Sequence, residues 1–488
     1  MKKAAGKSTG IPVSISLTPT IEAENIKGKI APDKKRLLYI SFLAVLIAVA
    51  VSFIAKLLIY LIDFITNVSF FGLFSLEENV PADNSLGLWV IIIPAIGGVI
   101  IGFMALYGSK AIRGHGIPEA MEQILTNKSK IKPAITYLKP LSSAIAIGTG
   151  GPFGAEGPII ATGGALGSTL GQLTKISSKE RKILLAAGAT AGMAAIFGTP
   201  IAAIFLAIEL LLFEFSPRSL IPVALACITG AAGHHFLFAA GPVFPMEAII
   251  GPTTTTSLFF YSILGIAMGL ISIVTTKLLF VIEDLFEKLP IHWMWWPAIG
   301  GLAVGIIGYF APRTLGVGYY NITDLLTGKM ALGVVASLCF FKFISWAIAL
   351  GSGTSGGTLA PLLTIGGAVG VLLGHLILQV FPHAEINIAV AALVGMSAMF
   401  AGASRALLTS IIFAVESTGQ SNVLLPLLGG CAASYFISFF IMENTIMTEK
   451  IARRGVKTPD SYEPDILGLV NVETVIKENS LVISENNT

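Results

Sequence analysis

Long apolar stretches dominate the chain, and they fall into two kinds. The first kind runs for about 20 residues or more without a break, which is the length that a helix needs to cross a bilayer. Seven stretches of this kind are predicted to be spans, at about 37–62, 87–107, 220–240, 258–282, 292–310, 331–350 and 422–442. The second kind is interrupted by glycine and proline, at 141–172, 183–213, 353–381 and 388–415. Together they predict an all-α, polytopic membrane protein in which many helices are tilted or broken.

The interrupted stretches are too apolar to be loops and too broken to be simple spans. Irregular backbone at membrane depth is tolerated only where it faces protein or a water-filled cavity. Transporters place their ion sites at such breaks. We therefore expect the functional site within the interrupted stretches.

The two ends of the chain are polar. Residues 1–36 carry eight of the basic side chains, and the apolar segment after them starts too far from Met1 for a secretory signal. Basic residues also follow the last span, at Lys450, Arg453 and Arg454. Because basic residues beside a span mark its cytoplasmic side, both termini are predicted to be cytoplasmic, in a cell (plasma or inner) membrane. Residues 456–488 form the predicted C-terminal tail.

A repeat relates the two halves of the chain. The segment 94–98 recurs as 297–301, and the glycine pattern of 148–171 recurs at 351–374, both at an offset of 203 residues. We therefore divide the membrane region into two halves, 37–250 and 251–455. If each half crosses the membrane an odd number of times, the halves are inverted, and an ion site is expected at their interface.

The amino-acid composition excludes several functional classes of protein. Only 12% of the residues are charged, against about 25% in soluble domains. A net charge of +3 is too small to suggest nucleic-acid binding. The three cysteines and six histidines form no metal-ligand spacing, and no nucleophile is paired with a base, so we predict no metal, no cofactor and no enzymatic activity.

Two repeated glycine-rich loops, 148–158 and 351–361, carry the most informative chemistry. Each leads into a predicted helix with a proline in its first turn, where the missing N–H costs nothing. A helix N-terminus offers free N–H groups and about half a positive charge. Two such ends meeting at mid-membrane make an anion site that binds without holding its ligand too tightly.

The two loops differ at one acidic position, because Glu156 corresponds to Leu359 in the second half. A carboxylate deep in a membrane is costly, and it suggests a function. Ionised, Glu156 would occupy the place of an anion; protonated or displaced, it would let the anion pass. The alternative is that Glu156 only caps a helix N-terminus.

Other polar residues in apolar surroundings leave more than one interpretation open. His115 stands between two glycines and either contributes to the anion path or is hydrogen-bonded in a loop. Glu209, Glu416 and Glu443 either belong to a proton path or make buried helix contacts.

Three motifs resemble those of the CLC family of chloride channels and proton-coupled chloride antiporters, in its prokaryotic form. Gly114-His115-Gly116-Ile117-Pro118 is similar to the family's GSGIP, 154–158 to GREGP, and 357–361 to GxFxP. The resemblance covers about residues 37–455 and implies a homodimer in the lipid bilayer, with one pore in each subunit. It implies that Glu156 is the gating glutamate and exchanges protons. The anion-binding positions that it implies are His115, Gly116, Ile117, Ala155, Glu156, Gly157, Thr358, Leu359, Ala360 and Met447.

Several positions depart from the family pattern. His115 replaces the central serine, Met447 falls near the central tyrosine, and Leu210 occupies the position of the antiporters' internal proton glutamate, next to Glu209. The departures favour a passive chloride channel, with a proton-coupled antiporter as the alternative. A sodium-coupled transporter of another solute is a more remote alternative, and it would need acidic or hydroxyl ligands at the helix breaks. Residues 465–476 resemble the start of a CBS domain.

Overall fold

The computed structural model describes residues 34–238, 241–247 and 253–459, and within these ranges it is built from α-helices with no β-strand. The first half contains α1 (Lys34–Thr66), α2 (Ile92–Phe103), α3 (Ile117–Thr126), α4 (Ile135–Gly148), α5 (Glu156–Leu173), α6 (Ser178–Phe197), α7 (Pro200–Leu206) and α8 (Pro217–Leu237). The second half contains α9 (Thr255–Glu287), α10 (Trp296–Phe310), α11 (Tyr319–Leu326), α12 (Leu332–Gly351), α13 (Leu359–Val380), α14 (Ile388–Ser404), α15 (Leu407–Thr418) and α16 (Leu424–Ile441). A short α17 (Glu449–Arg453) follows. The predicted tail before residue 34 and the CBS-like segment 465–476 lie outside the described residues.

Eight helical stretches in the described part of the chain are long and apolar enough to cross a membrane. Seven of them coincide with the predicted spans. The eighth is α13, which corrects the prediction that 353–381 is too broken for a span. The break lies before the helix, and the glycines inside it serve close packing. A Cβ on Gly366 would lie 2.6 Å from the carbonyl oxygen of Gly395 on α14.

The other interrupted stretches are broken, as predicted. The stretch 141–172 divides into α4 and α5 around a loop at 149–155, and 183–213 divides between α6 and α7. In 388–415, the break between α14 and α15 falls at Arg405, which has a left-handed backbone. These breaks bring helix ends into the interior of the protein.

The repeat seen in the sequence is also present in the packing. The second half repeats the first in the order of its helices, so that α9–α16 correspond to α1–α8. α2 packs against its counterpart α10. A Cβ on Gly98 would lie 2.2 Å from the carbonyl oxygen of Pro297, and a Cβ on Gly301 would lie 2.2 Å from that of Pro94. These contacts exchange equivalent positions, as expected for two halves related by a two-fold axis.

Small residues hold each half together in the same way. α5 packs against α6 in the first half, and α13 packs against α14 in the second. A Cβ on Gly163 would lie 2.1 Å from the carbonyl oxygen of Gly188, so only glycine permits this approach of two helix backbones. This packing fixes the positions at which α5 and α13 begin.

Candidate functional site

Three loops meet where α3, α5 and α13 begin. The loop before α3 pairs with the loop before α13, because Gly114 and Ser355 form a parallel bridge. The loop before α5 also pairs with it, through N–H to carbonyl bonds of 3.4 and 3.1 Å between Gly154 and Gly357. The two halves of the chain are therefore joined by backbone hydrogen bonds at this point.

The glycines of these loops allow an approach that no other residue permits. Gly116 has φ +98°, and a Cβ there would lie 2.2 Å from the carbonyl oxygen of Gly157. A Cβ on Gly157 would in turn lie 2.2 Å from the carbonyl oxygen of His115 and 2.8 Å from the Cα of Gly357. Three helix N-termini thus converge, and the N–H groups in the first turn of each have no partner within their own helix.

The Glu156 carboxylate lies among these helix ends. Its side chain is fully buried. Oε1 accepts a hydrogen bond of 2.7 Å from the N–H of Ala360, in the first turn of α13, and Oε2 accepts one of 3.0 Å from the hydroxyl of Tyr319. The carboxylate therefore lies at the N-terminus of α13, and both of these donors belong to the other half of the chain.

The loop glycines make room for this carboxylate. A Cβ on Gly154 would lie 1.9 Å from Oε2 of Glu156, and a Cβ on Gly357 would lie 3.0 Å from Oε1. Any other residue at position 154 would occupy the space of the carboxylate. These two glycines thus allow the Glu156 carboxylate to lie against the backbone of the loops.

Tyr319 contacts the Glu156 carboxylate and was not among the predicted site residues. It is the first residue of α11 and follows Gly318, whose φ is +74°. At the repeat offset of 202, it corresponds to Ile117, a position that the resemblance had placed at the anion site. That correspondence was the available signal, because nothing in the local sequence distinguishes this tyrosine from a core aromatic residue.

His115 is buried, with 1% of its surface exposed. Its Nδ1 atom has no hydrogen-bond partner among the described residues. The charged groups that act on the ring are Glu119, Lys139 and Lys450, and the carboxylate of Glu119 accepts a hydrogen bond of 2.6 Å from the N–H of Gly116. The ring therefore keeps a buried polar atom without a protein ligand, beside the helix ends.

Two buried lysines hold equivalent loops in the two halves. The Nζ of Lys139 donates to the carbonyl oxygens of Ile112 and Gly114, at 2.8 and 2.7 Å. Lys342, at the repeat offset of 203, donates to the carbonyl oxygens of Thr314 and Gly316, at 3.0 Å each. One lysine thus fixes the loop that carries His115, and the other fixes the loop that carries Tyr319.

Replacing Lys139 by methionine is expected to destabilise the protein, because the buried carbonyl groups of Ile112 and Gly114 both lose the lysine donor, and Gly114 keeps only the N–H of Gly356 at 3.4 Å. The expected loss is about 2 kcal/mol or more of unfolding free energy. The measurement is thermal unfolding in detergent. Lys132→Met, at an exposed position, is the control and should leave the stability unchanged. Equal stability of both variants would show that Lys139 does not support the loop.

The remaining predicted site residues, apart from Met447, lie at or near the three helix ends. Ile117 begins α3, Glu156 begins α5 and Leu359 begins α13. Ala155, Gly157, Thr358 and Ala360 flank the last two starts, and all are buried. Met447 is fully buried in the loop between α16 and α17, which is bonded to α14 through the N–H of Ile446 and the carbonyl oxygen of Ala403, at 3.0 Å.

Glu209 and Glu416 each cap the N-terminus of a helix in the opposite half of the chain. The carboxylate of Glu209 accepts from the N–H groups of Leu408 and Thr409 at 2.9 and 3.0 Å, at the start of α15. The carboxylate of Glu416, near the end of α15, accepts from the N–H groups of Ile201 and Ala202 at 3.0 and 2.8 Å, at the start of α7. This reciprocal capping gives both acids a structural role.

A cavity of about 1020 Å³ leads toward the site from one side. It reaches Gly114 and Gly116, on either side of His115. Its basic lining residues outnumber the acidic ones: Lys110, Arg113, Lys130, Lys132, Lys139, Lys450, Arg453 and Arg454, against Glu119, Glu122, Glu283 and Glu287. Such a lining raises the local concentration of anions.

Comparison with known proteins identifies the class. The sequence model of the family described as "Voltage gated chloride channel" matches residues 96–439. The chain belongs to this family, the CLC family, and the resemblance drawn from the three motifs is confirmed. It is therefore a multi-pass membrane protein of a family that transports anions.

Particular relatives extend this result. The chain is 30% identical over 374 residues to "Chloride channel protein CLC-f" of Arabidopsis thaliana, a match that spans 71% of this chain and 47% of the plant protein. It is 28% identical over 390 residues to "H(+)/Cl(-) exchange transporter ClcA" of Yersinia pseudotuberculosis, spanning 77% of this chain and 80% of the bacterial one.

Solved structures share the fold. A slow cyanobacterial Cl⁻/H⁺ antiporter aligns with a TM-score of 0.75 at 24% identity, covering 84% of this chain and 98% of its own. A CLC-type fluoride/proton antiporter aligns with a TM-score of 0.68 at 22% identity, covering 84% of this chain and 97% of its own. The predicted all-α fold of the CLC type is confirmed.

Proposed function

We propose that this protein exchanges chloride for protons across the membrane, with Glu156 as both the gate and the proton carrier. The observation that carries the proposal is the buried Glu156 carboxylate, bonded to the N–H of Ala360 and the hydroxyl of Tyr319. A group that competes with the anion when ionised, and leaves when protonated, links the two movements. Several relatives are named as exchange transporters, which also favours exchange.

Exchange follows because a single site binds either the Glu156 carboxylate or the chloride ion. Ionised, Glu156 takes the donors and closes the path to the anion. Chloride competes for the same donors, and the displaced carboxylate then binds a proton where it meets water. Protonation removes the charge that the helix N-termini attract, so the neutral side chain leaves the site to the anion. Release of the proton on the opposite side completes the exchange.

Passive conduction is the second candidate, and it was favoured by the sequence because Leu210 stands at the position of the internal proton glutamate. Leu210 is buried, and its neighbour Glu209 is engaged in capping α15. Protons would therefore have to reach Glu156 through water or through other groups. The bacterial relatives named as H(+)/Cl(-) exchange transporters favour exchange over passive conduction.

A chloride gradient is expected to drive protons uphill in liposomes that contain the purified protein. Chloride leaving the vesicles should carry protons inward, since the two ions move in opposite directions. A pH electrode and a chloride electrode in a lightly buffered medium measure both fluxes, and protein-free liposomes are the control. Chloride flux without proton movement, when charge is balanced by an ionophore, would instead identify a channel.

We further propose that the protein works as a homodimer in a cell membrane, with both termini in the cytoplasm. The family resemblance and the basic residues that follow α16 support this proposal. Its action on chloride is transport without chemical change of a substrate.

A further inference from the structure

We propose that the Tyr319 hydroxyl is a direct ligand of the transported anion, at the place that the Glu156 carboxylate occupies. This inference rests on the proposed function, since it assigns one more ligand to the site that Glu156 closes. The ligand class is a small monovalent anion.

The hydroxyl of Tyr319 is bonded to the Glu156 carboxylate, which must leave the site before an anion can pass. It donates to Oε2 of Glu156 at 3.0 Å, in a partly buried contact. When the carboxylate moves out of the site, this donor loses its acceptor, and a donor left unpaired away from bulk water is costly. An anion in the place of the carboxylate restores the hydrogen bond. The donor is thus satisfied in both states of the gate.

The tyrosine ring is held so that its hydroxyl cannot follow the carboxylate. The ring packs edge-on against Phe197 and Phe244, with ring centroids 5.8 Å apart in both pairs. Phe197 is itself fixed by Phe413, at 5.0 Å. Its backbone belongs to the first turn of α11, directly after Gly318.

Two donors from different elements converge on a single carboxylate. The N–H of Ala360 comes from the first turn of α13, and the hydroxyl of Tyr319 comes from the start of α11. Both donors are uncharged, so the bound anion is held by hydrogen bonds and a helix end and not by a full cation. Such a site allows release as well as binding.

The test measures chloride binding by titration calorimetry in protein whose gate has been neutralised. In Glu156→Gln, the carboxylate no longer competes with the anion. Adding Tyr319→Phe removes only the hydroxyl, and the expected result is a dissociation constant about tenfold or more higher, because a hydrogen bond to a charged group is lost. Tyr320→Phe in the same background is the matched control: its hydroxyl lies 3.5 Å from the carbonyl oxygen of Arg313, and binding should not change.

The outcomes separate this inference from the proposed function. If Glu156→Gln binds chloride and Tyr319→Phe leaves the dissociation constant unchanged, the inference is wrong and the proposed function stands. If Glu156→Gln binds no chloride at all, the proposed function itself fails.

A second measurement uses the protein with Glu156 intact, in case the double variant does not fold. The concentration dependence of isotopic chloride exchange, with equal chloride on both sides, should show a higher half-saturation concentration for Tyr319→Phe than for Tyr320→Phe. Equal half-saturation in these two variants overturns the inference.

Discussion

Replacing Glu156 by glutamine is expected to abolish proton movement while chloride flux continues. The amide keeps the size of the side chain but carries no negative charge to compete for the N–H of Ala360 and the hydroxyl of Tyr319. It also cannot bind and release a proton. The proton flux driven by a chloride gradient should fall to the level of protein-free liposomes, and any dependence of chloride flux on pH that arises from Glu156 should disappear.

The control for this prediction is Glu416→Gln. Glu416 is also an acid in an apolar part of the protein, but its carboxylate caps α7. This variant is expected to keep the ratio of protons to chloride, with at most a loss of stability. Proton movement that persists in Glu156→Gln would show that another group carries the protons.

Replacing His115 by serine is expected to remove a second, separate dependence of chloride flux on pH. A protonated imidazole adds a charged donor beside the anion, so flux should rise as the pH falls through the imidazole titration. Burial has the largest effect on the ring and opposes its protonation; Glu119 favours the protonated ring, and Lys450 and Lys139 oppose it. A bound anion would favour protonation.

The pH dependence due to His115 is best measured in a variant that lacks the Glu156 carboxylate. Chloride flux in Glu156→Gln should differ about tenfold between the protonated and the neutral ring, since a charge-assisted hydrogen bond to the anion is gained or lost. Glu156→Gln with His115→Ser should show little change with pH. His375→Ser is the control, because the Nδ1 of His375 is already bonded to the carbonyl oxygen of Val371 at 2.9 Å. If the pH dependence survives in the His115 variant, His115 is not the sensor.

The helices and the loops could be predicted from the sequence because they depend on local or periodic patterns of residues. Unbroken apolar runs specify spans, and the offset of 203 residues specifies two equivalent halves. Glu156 could be found because the repeat allows the two halves to be compared. The acid at this position in the first half corresponds to a leucine in the second. The glycines around it were predicted to free backbone N–H groups, and the structure adds that they also make room for the carboxylate.

What the sequence did not predict depends on contacts between distant segments. Tyr319 meets Glu156 across 163 residues, and no local pattern marks that contact. Lys139 and Lys342 look like ordinary lysines in apolar helices until their partner carbonyl groups are known. The continuous α13 was predicted to be broken because its glycines were counted as interruptions, although they lie at a helix–helix contact.

The central claim is that the Glu156 carboxylate stands in the place of a transported anion. The most direct test is anomalous diffraction from Glu156→Gln crystals grown in bromide, an anion that can be located by its own scattering. The account predicts a bromide peak within hydrogen-bond distance of the Ala360 N–H and the Tyr319 hydroxyl, at the position of the lost carboxylate. Bromide that binds elsewhere along the path, with this position filled only by the glutamine side chain or by water, would contradict it.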